Sequence, residues 1–275
     1  MSGAGWHAVR VRAAGDRAAV IAALFSAGSQ GIHEDGETIV THFPPDVDLA
    51  VVRAGVAGAD PAASVEVADA PAVDWSEAWK QGIGAHELGG LAVVPPWLAG
   101  GRDPARTVVI EPGMAFGTGE HETTRCVIRL LEGVIARGDR VADLGAGSAV
   151  LAIAAAKLGA AHVAAIELDA EAIANAEENV ARNGVADRVT VIEGDAGLLL
   201  PLVAPVEVVL ANIISSVLVE LLPAIGAALT DRGRAVLSGI LTDERDDMLA
   251  VLAPDWVVVE DAVEGKWWSV VVARR

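Results

Sequence analysis

The chain has 275 residues, 53% hydrophobic and 21% charged, enough to bury one large core or two modest ones. A net charge of −18 repels phosphate backbones, no basic run offsets it, and a single cysteine excludes both a disulfide framework and a cysteine-based metal centre. No uncharged run is long enough to span a bilayer, and Met1 to Arg12 lacks the apolar stretch of a signal peptide, so a cytoplasmic protein with no membrane partner is expected.

Trp6 to Arg12 alternates as a strand does, and Asp16 to Ala27 carries apolar residues at helical spacing. Gly31 to Glu34 meets Glu37 to Phe43 across Asp35-Gly36, a hairpin dipeptide, and Pro44-Pro45 stops the second strand. Val47 to Val56 reads as helix and Ser64 to Val67 as a closing strand. Strand, helix, strand, strand, helix, strand is the split βαβ order of ferredoxin-like α+β domains, here assigned to residues 1–67. Nothing in it forms a catalytic cluster, which leaves substrate recognition, dimerisation or a structural role. Residues 68–82 read as a linker with a short helix, where Asp74 and Glu77 have capping-box spacing and Trp75 and Trp79 share a face.

Residues 83–275 carry the chemistry. After strands at Leu91 to Val94 and Val108 to Ile110 comes a loop with glycines at 113, 117 and 119 around Phe116, opening onto a helix from about Thr123. Such a loop can close over a ligand, and Thr123 and Thr124 sit where a helix N-terminus offers amides and hydroxyls to an anionic group; an ordinary capped helix is the alternative. Glu120-His121-Glu122 invites a metal reading, but consecutive side chains diverge and no second cluster of ligands accompanies them, so no metal is expected.

The stretch from Arg140 to Asp169 is a strand ending at Leu144, a turn through Gly145-Ala146-Gly147, an alanine-rich helix, and a second strand that delivers Glu167. Such a unit serves to hold a nucleoside, since glycines admit a ligand close to the backbone and the acid accepts from ribose hydroxyls; a plain tight strand-to-helix turn is the alternative. Dinucleotides and S-adenosylmethionine both use it. The dinucleotide fingerprint wants a sixth-position glycine, where Val150 stands, whereas Asp143 before Gly145 and Gly147 looks like the first motif of methyltransferases.

A helix over Ala170 to Asn183 and a strand over Val189 to Ile192 lead to Asp195, placed to accept from an adenine amino group. The strand Val206 to Leu210 delivers Asn212, which either faces the reacting centre or serves as a turn or N-cap residue for a helix running to Thr230. Arg234 to Ser238, Val257 to Glu260 and Trp267 to Ala273 read as strands and Thr242 to Leu252 as helix.

Together, Glu111-Pro-Gly-Met-Ala-Phe-Gly-Thr-Gly-Glu-His-Glu-Thr-Thr124, Asp143-Leu-Gly-Ala-Gly147, Leu210-Ala-Asn-Ile213 and Leu237-Ser-Gly-Ile-Leu241 resemble the ribosomal protein L-eleven methyltransferase family nearly end to end. The resemblance implies a Rossmann-like class I methyltransferase domain with a seven-stranded sheet, an N-terminal ferredoxin-like domain that grips the ribosomal substrate, and methyl transfer from S-adenosylmethionine to lysine and terminal amino groups. It implies cofactor contacts at Thr124, Gly145, Gly147, Glu167 and Asn212; Asp195 near adenine follows from general methyltransferase architecture. Asn212 is expected to orient the amine and Phe116 to exclude water, with Glu111, Glu120 and His121 as candidate bases and water as the alternative to all three. The partner implied is a large-subunit ribosomal protein met by a monomer. Two departures stand out: Ala149 replaces the usual glycine, so a slightly displaced turn is expected, and Glu167 replaces the commoner aspartate. The alternatives are a lysine methyltransferase for another protein and a nucleic-acid methyltransferase, the latter disfavoured because Asn212 is followed by Ile213-Ile214-Ser215 rather than a Pro-Pro-aromatic motif.

Overall fold

The computed structural model describes residues 6–29, 31–36, 38–44, 46–69, 83–113 and 116–275. The helix expected around Asp74 to Trp79 lies outside them. The chain divides into two units, Met1–Gly82 and Ile83–Arg275.

The first unit runs β1 (His7–Arg12), α1 (Arg17–Ser26), β2 (Ile32–Asp35), β3 (Thr38–Phe43), α2 (Leu49–Ala59) and β4 (Ser64–Asp69). Its sheet order is β2-β3-β1-β4 with every neighbouring pair antiparallel, so β1 and β2 run parallel with β3 between them. Val9 and Val11 of β1 face Val20 and Leu24 of α1 and Val52 and Val56 of α2 in one apolar cluster, as strand and helix periodicities dictate. Asp16 and Asp48 cap the two helices through Ala19 and Ala50 N–H. Buried Asp60 accepts from Gly15 and Ala14 N–H at 2.7 Å each, and the Gly15 bond leads in holding its carboxyl below the usual carboxylate range.

The second unit opens with a three-stranded sheet of β5 (His86–Leu88), β6 (Leu91–Val94) and β7 (Thr107–Val109). Then follow α3 (Glu122–Val134), β8 (Arg140–Leu144), α4 (Val150–Leu158), β9 (His162–Glu167), α5 (Ala170–Arg182), β10 (Val189–Glu193), α6 (Ala196–Val203), β11 (Val206–Asn212), α7 (Ser215–Ala228), β12 (Leu229–Leu241), α8 (Arg245–Leu252), β13 (Trp256–Glu264) and β14 (Trp267–Arg274). The seven-stranded sheet has the order β10-β9-β8-β11-β12-β14-β13, parallel through β12, with β14 antiparallel to both neighbours.

Apolar layers cover both faces of this sheet, which is why its parallel strands are near-continuous apolar runs. In α4, Ala152, Ala154, Ala155 and Ala156 are fully buried; their small side chains let the helix lie close beside β8 and β9. Cys126 is buried in α3, and that burial pushes its thiol pKa up. The chain order reverses between β8 and β11, and a crevice opens there at the strands' carboxyl ends.

Candidate active site

Beyond Leu144 the backbone turns through Gly145, Ala146 and Gly147, with Gly145 and Ala146 N–H donating to Ile166 O at 2.9 and 3.1 Å. Gly147 has φ 52°, and a Cβ there would lie 2.5 Å from the Phe116 carbonyl oxygen, so the turn accepts no side chain where the upstream loop crosses it. Ala149 also adopts a left-handed conformation, φ 64° and ψ 20°, the positive φ that a glycine would take without strain. The loop is fastened to this turn by main-chain groups: Ser148 N–H donates to Phe116 O at 2.9 Å and Ser148 Oγ to Gly117 O at 2.6 Å.

Glu167 ends β9 and turns back toward the glycines. One carboxylate oxygen accepts Gly147 N–H at 2.7 Å and the other Asp169 N–H at 2.8 Å. Each oxygen keeps a second lone pair for a hydroxyl. Asp195, just past β10, caps α6 by accepting Leu198 N–H at 3.0 Å. Asn212 is the last residue of β11 and pairs in register with Ser238; the α7 N-cap is Ile214, so Asn212 is not that cap.

Phe116, Gly145, Gly147, Glu167, Asp195 and Asn212 line one cleft of about 780 Å³, walled on the α7 side by Ile213, Ile214, Val217 and Leu221. That volume accommodates a nucleoside-sized ligand. Thr124 is not among its lining residues: it is fully buried in the first turn of α3, with no hydrogen-bond partner for Oγ1 among the described residues. His121 caps α3, its Nδ1 lying 3.3 Å from Thr123 N and 2.8 Å from Thr123 Oγ1. Its ring stands edge-on between Phe116 and Trp267, with both centroid separations 5.1 Å.

The acids of the loop diverge. Glu120 accepts Gly84 N–H at 2.9 Å and pairs with His86 at 2.9 Å, while Glu111 pairs with Arg182 at 3.2 Å. Among the described residues no group of three His, Cys, Asp or Glu converges as metal ligands would.

Two features of the site escape sequence reading. Asp143 is 1% exposed, with Oδ2 accepting Ala152 N–H at 3.0 Å and Oδ1 without a partner among the described residues; burial foremost, with the nearby Glu167 charge, pushes its pKa to about 7 against that hydrogen bond. On α5 and at its C-cap, Asn175, Asn179 and Asn183 hold the segment around β7: Asn183 Oδ1 accepts Val109 N–H and Asn179 Oδ1 accepts Glu111 N–H, both at 2.8 Å. The spacing of four was visible, but their target lies more than 60 residues away, 68 for Asn179.

A seven-stranded sheet, parallel but for β14, with its crevice at the order reversal, a glycine turn beside an acid-tipped second strand and a further acid beyond the third, is the architecture of a class I S-adenosylmethionine-dependent methyltransferase, the class to which the family match below assigns the chain. Residues 12–275 match the family described as Ribosomal protein L11 methyltransferase (PrmA), and the chain belongs to that family. It is 37% identical over 253 residues to the "Ribosomal protein L11 methyltransferase" of Thermus thermophilus, covering 90% of this chain and 91% of that one. The Myxococcus xanthus protein of the same description is 38% identical over 245 residues, covering 87% and 83% respectively. Among solved structures, the ribosomal protein L11 methylase of Lactobacillus delbrueckii subsp. bulgaricus has a TM-score of 0.62 at 30% identity, covering 70% of this chain and 98% of that chain. S-adenosylmethionine is the methyl donor, and the residues present fit it: two glycines of the turn on the cleft lining, spare acceptors on Glu167 and Asp195, and a cleft of matching size.

Proposed function

We propose that this chain methylates amino groups of ribosomal protein L11, lysine side chains and the terminal amine among them. The family match over residues 12–275 carries this reading. An acidic chain of net charge −18 suits a basic acceptor protein and disfavours direct contact with nucleic acid. The first unit, with its β2-β3-β1-β4 sheet, is assigned as a ferredoxin-like substrate-recognition domain; β4 carries it through Asp69, two residues past the boundary expected at 67, and the catalytic domain is 83–275. A cytoplasmic monomer fits this role; among the described residues no helix is long and apolar enough to cross a membrane.

S-adenosylmethionine supplies an electrophilic methyl group on a sulfonium. Glu167 binds the ribose, Asp195 the adenine amine, and the Gly145 and Gly147 backbone lies against the nucleoside; Thr124, which the family resemblance would put at the methionine end, is buried outside the cleft lining and is assigned no contact. Asn212 orients the incoming amine through its side-chain or backbone carbonyl. Phe116, 55% exposed at the cleft rim, excludes water when the acceptor docks. The acceptor must be neutral, and desolvation beside Phe116 lowers the ammonium pKa. With Glu111 paired to Arg182, Glu120 to His86, and His121 Nδ1 engaged at the helix cap, the released proton is assigned to solvent. Alignment then supplies the main rate advantage, up to about 7–11 kcal/mol.

The test is transfer of labelled methyl groups to purified L11, with peptide mass spectrometry to find the modified amines, repeated with Asn212→Ala. Labelling of L11 amines that Asn212→Ala cuts sharply at saturating cofactor supports the reading. Unmodified L11 would sink the substrate, and wild-type turnover by Asn212→Ala would sink the orienting role.

A further inference from the structure

Residues four apart on a helix stand one above another, and α5 uses this to line up three side-chain amides. Asn183 exchanges two hydrogen bonds with Val109, and Asn175 Nδ2 donates to Glu111 O at 3.3 Å. Of the three, Asn179 reaches in two directions. Its Oδ1 accepts Glu111 N–H at 2.8 Å, where the glycine-rich loop begins, and its Nδ2 donates to Ser148 O at 3.2 Å, in the nucleotide turn. The residue is wholly buried, so neither bond competes with water.

Ser148 O belongs to the peptide that precedes Ala149. The N–H on the other edge of that peptide donates to Ala146 O at 2.8 Å. With both edges of this plane tied and the next peptide held by Ile153 N–H donating to Ala149 O at 2.9 Å, Ala149 is kept at φ 64°, a value an L-residue resists. Ser148 in turn grips the loop through Phe116 O and Gly117 O. Glu111, Ser148 and Phe116 are thereby joined through a single buried amide and the residue it holds.

We propose that Asn179 is a positioning residue for methyl transfer: it fixes the Ser148–Ala149 peptide and the root of the 111–121 loop together, so that the cofactor turn and the Phe116 wall keep one register. A glycine at 149 would need less of this support; alanine makes the amide necessary. The inference rests on the methyltransferase reading above and goes beyond it in naming what holds the site in shape.

The experiment measures S-adenosylmethionine Kd by calorimetry, kcat at saturating cofactor, and Tm, for wild type, Asn179→Ala, Asn183→Ala, Ala149→Gly and the Ala149→Gly/Asn179→Ala pair. Asn179→Ala is expected to raise Kd about tenfold or more and to lower kcat by a similar factor, the scale of a small misplacement of reacting groups. Asn183→Ala removes an amide of the same kind and is expected to lower Tm while leaving Kd within about threefold. Adding Ala149→Gly to Asn179→Ala is expected to recover about threefold or more of the lost affinity, because glycine holds the left-handed turn unaided. Equal Kd shifts in the two asparagine variants, or no recovery in the pair, would overturn the proposal. Should Asn179→Ala not fold, Asn179→Ser against Asn183→Ser decides by the same thresholds. Wild-type protein that fails to bind S-adenosylmethionine would instead defeat the functional reading itself.

Discussion

Ile213 and Gly239 meet backbone to backbone: any Cβ at position 239 would collide with the Ile213 carbonyl oxygen. Gly239 has φ 83° and lies in the register shift of β12 between Leu237 and Ile240. The contact ties Leu210-Ala-Asn-Ile213 to Leu237-Ser-Gly-Ile-Leu241: the glycine of the second leaves room for the backbone that follows Asn212 in the first. Gly239→Ala is expected to displace residues 212–214 into the cleft and cut kcat by about 100-fold, the cost of roughly 1 Å of misplacement. Steady-state kinetics checks this, with circular dichroism to show the fold retained.

Ala149→Gly removes the strain of a left-handed alanine, about 1–2 kcal/mol, and adds back about 0.5–1 kcal/mol of glycine entropy. Since Ala149 has φ 64° and is fully buried, urea unfolding is expected to show a variant more stable by about 0.5–1 kcal/mol. A destabilised variant would mean that the methyl group's packing outweighs the backbone strain.

Asp143 gives a pH signature. Its folded pKa stands near 7 against an ordinary value of 3.8, so the folded chain keeps a proton that the unfolded chain has lost. The stability carried by the neutral carboxyl is intact below pH 3.8, erodes as pH rises, and is gone above about pH 7. The change totals on the order of 4 kcal/mol. For Asp143→Asn that slope should vanish, the difference from wild type growing in the variant's favour up to about pH 7, as read from denaturant curves between pH 4.5 and 8. Parallel curves for the two proteins would place the titration elsewhere.

Both oxygens of Glu167 accept backbone N–H groups, from Gly147 and Asp169. A glutamine has one oxygen and one NH2, so Glu167→Gln sets a donor against a donor whichever way the amide turns. The loss of a charged acceptor and one unsatisfied amide are worth about 1.5–3 kcal/mol. S-adenosylmethionine Kd is accordingly expected to rise about 10- to 100-fold, measured by calorimetry.

Much of the catalytic unit was legible because its signals are local. Gly145 and Gly147 mark a turn, Glu167 and Asp195 stand at the tips of apolar runs, and these pieces meet in one cleft. Other features depend on distant partners. The helix α6 was unforeseen, because Leu198, Leu199, Leu200, Pro201 and Leu202 show no polar face; Leu198 and Leu202 are in fact 75% and 77% exposed. β12 begins at Leu229 rather than Arg234 despite an Asp-Arg-Gly-Arg interruption, because β11 offers a partner at both ends of it. Thr124 was expected to meet the cofactor from its place at a helix start and from the resemblance; fully buried in the first turn of α3, it is absent from the cleft lining. The reading of Ala170 to Asn183 as a helix gave its asparagines no role, and only the folded chain brings Val109 and Glu111 to them.

The lone sulfhydryl of Cys126, enclosed in α3 and kept protonated by its surroundings, is a poor target for alkylating reagents. Reporter dyes or spin probes can therefore be attached through a cysteine introduced at one chosen surface position without first stripping the native one. A pair of such labels, one beside Phe116 and one on α6, would turn the width of the cleft mouth, with and without cofactor, into a distance that spectroscopy can read.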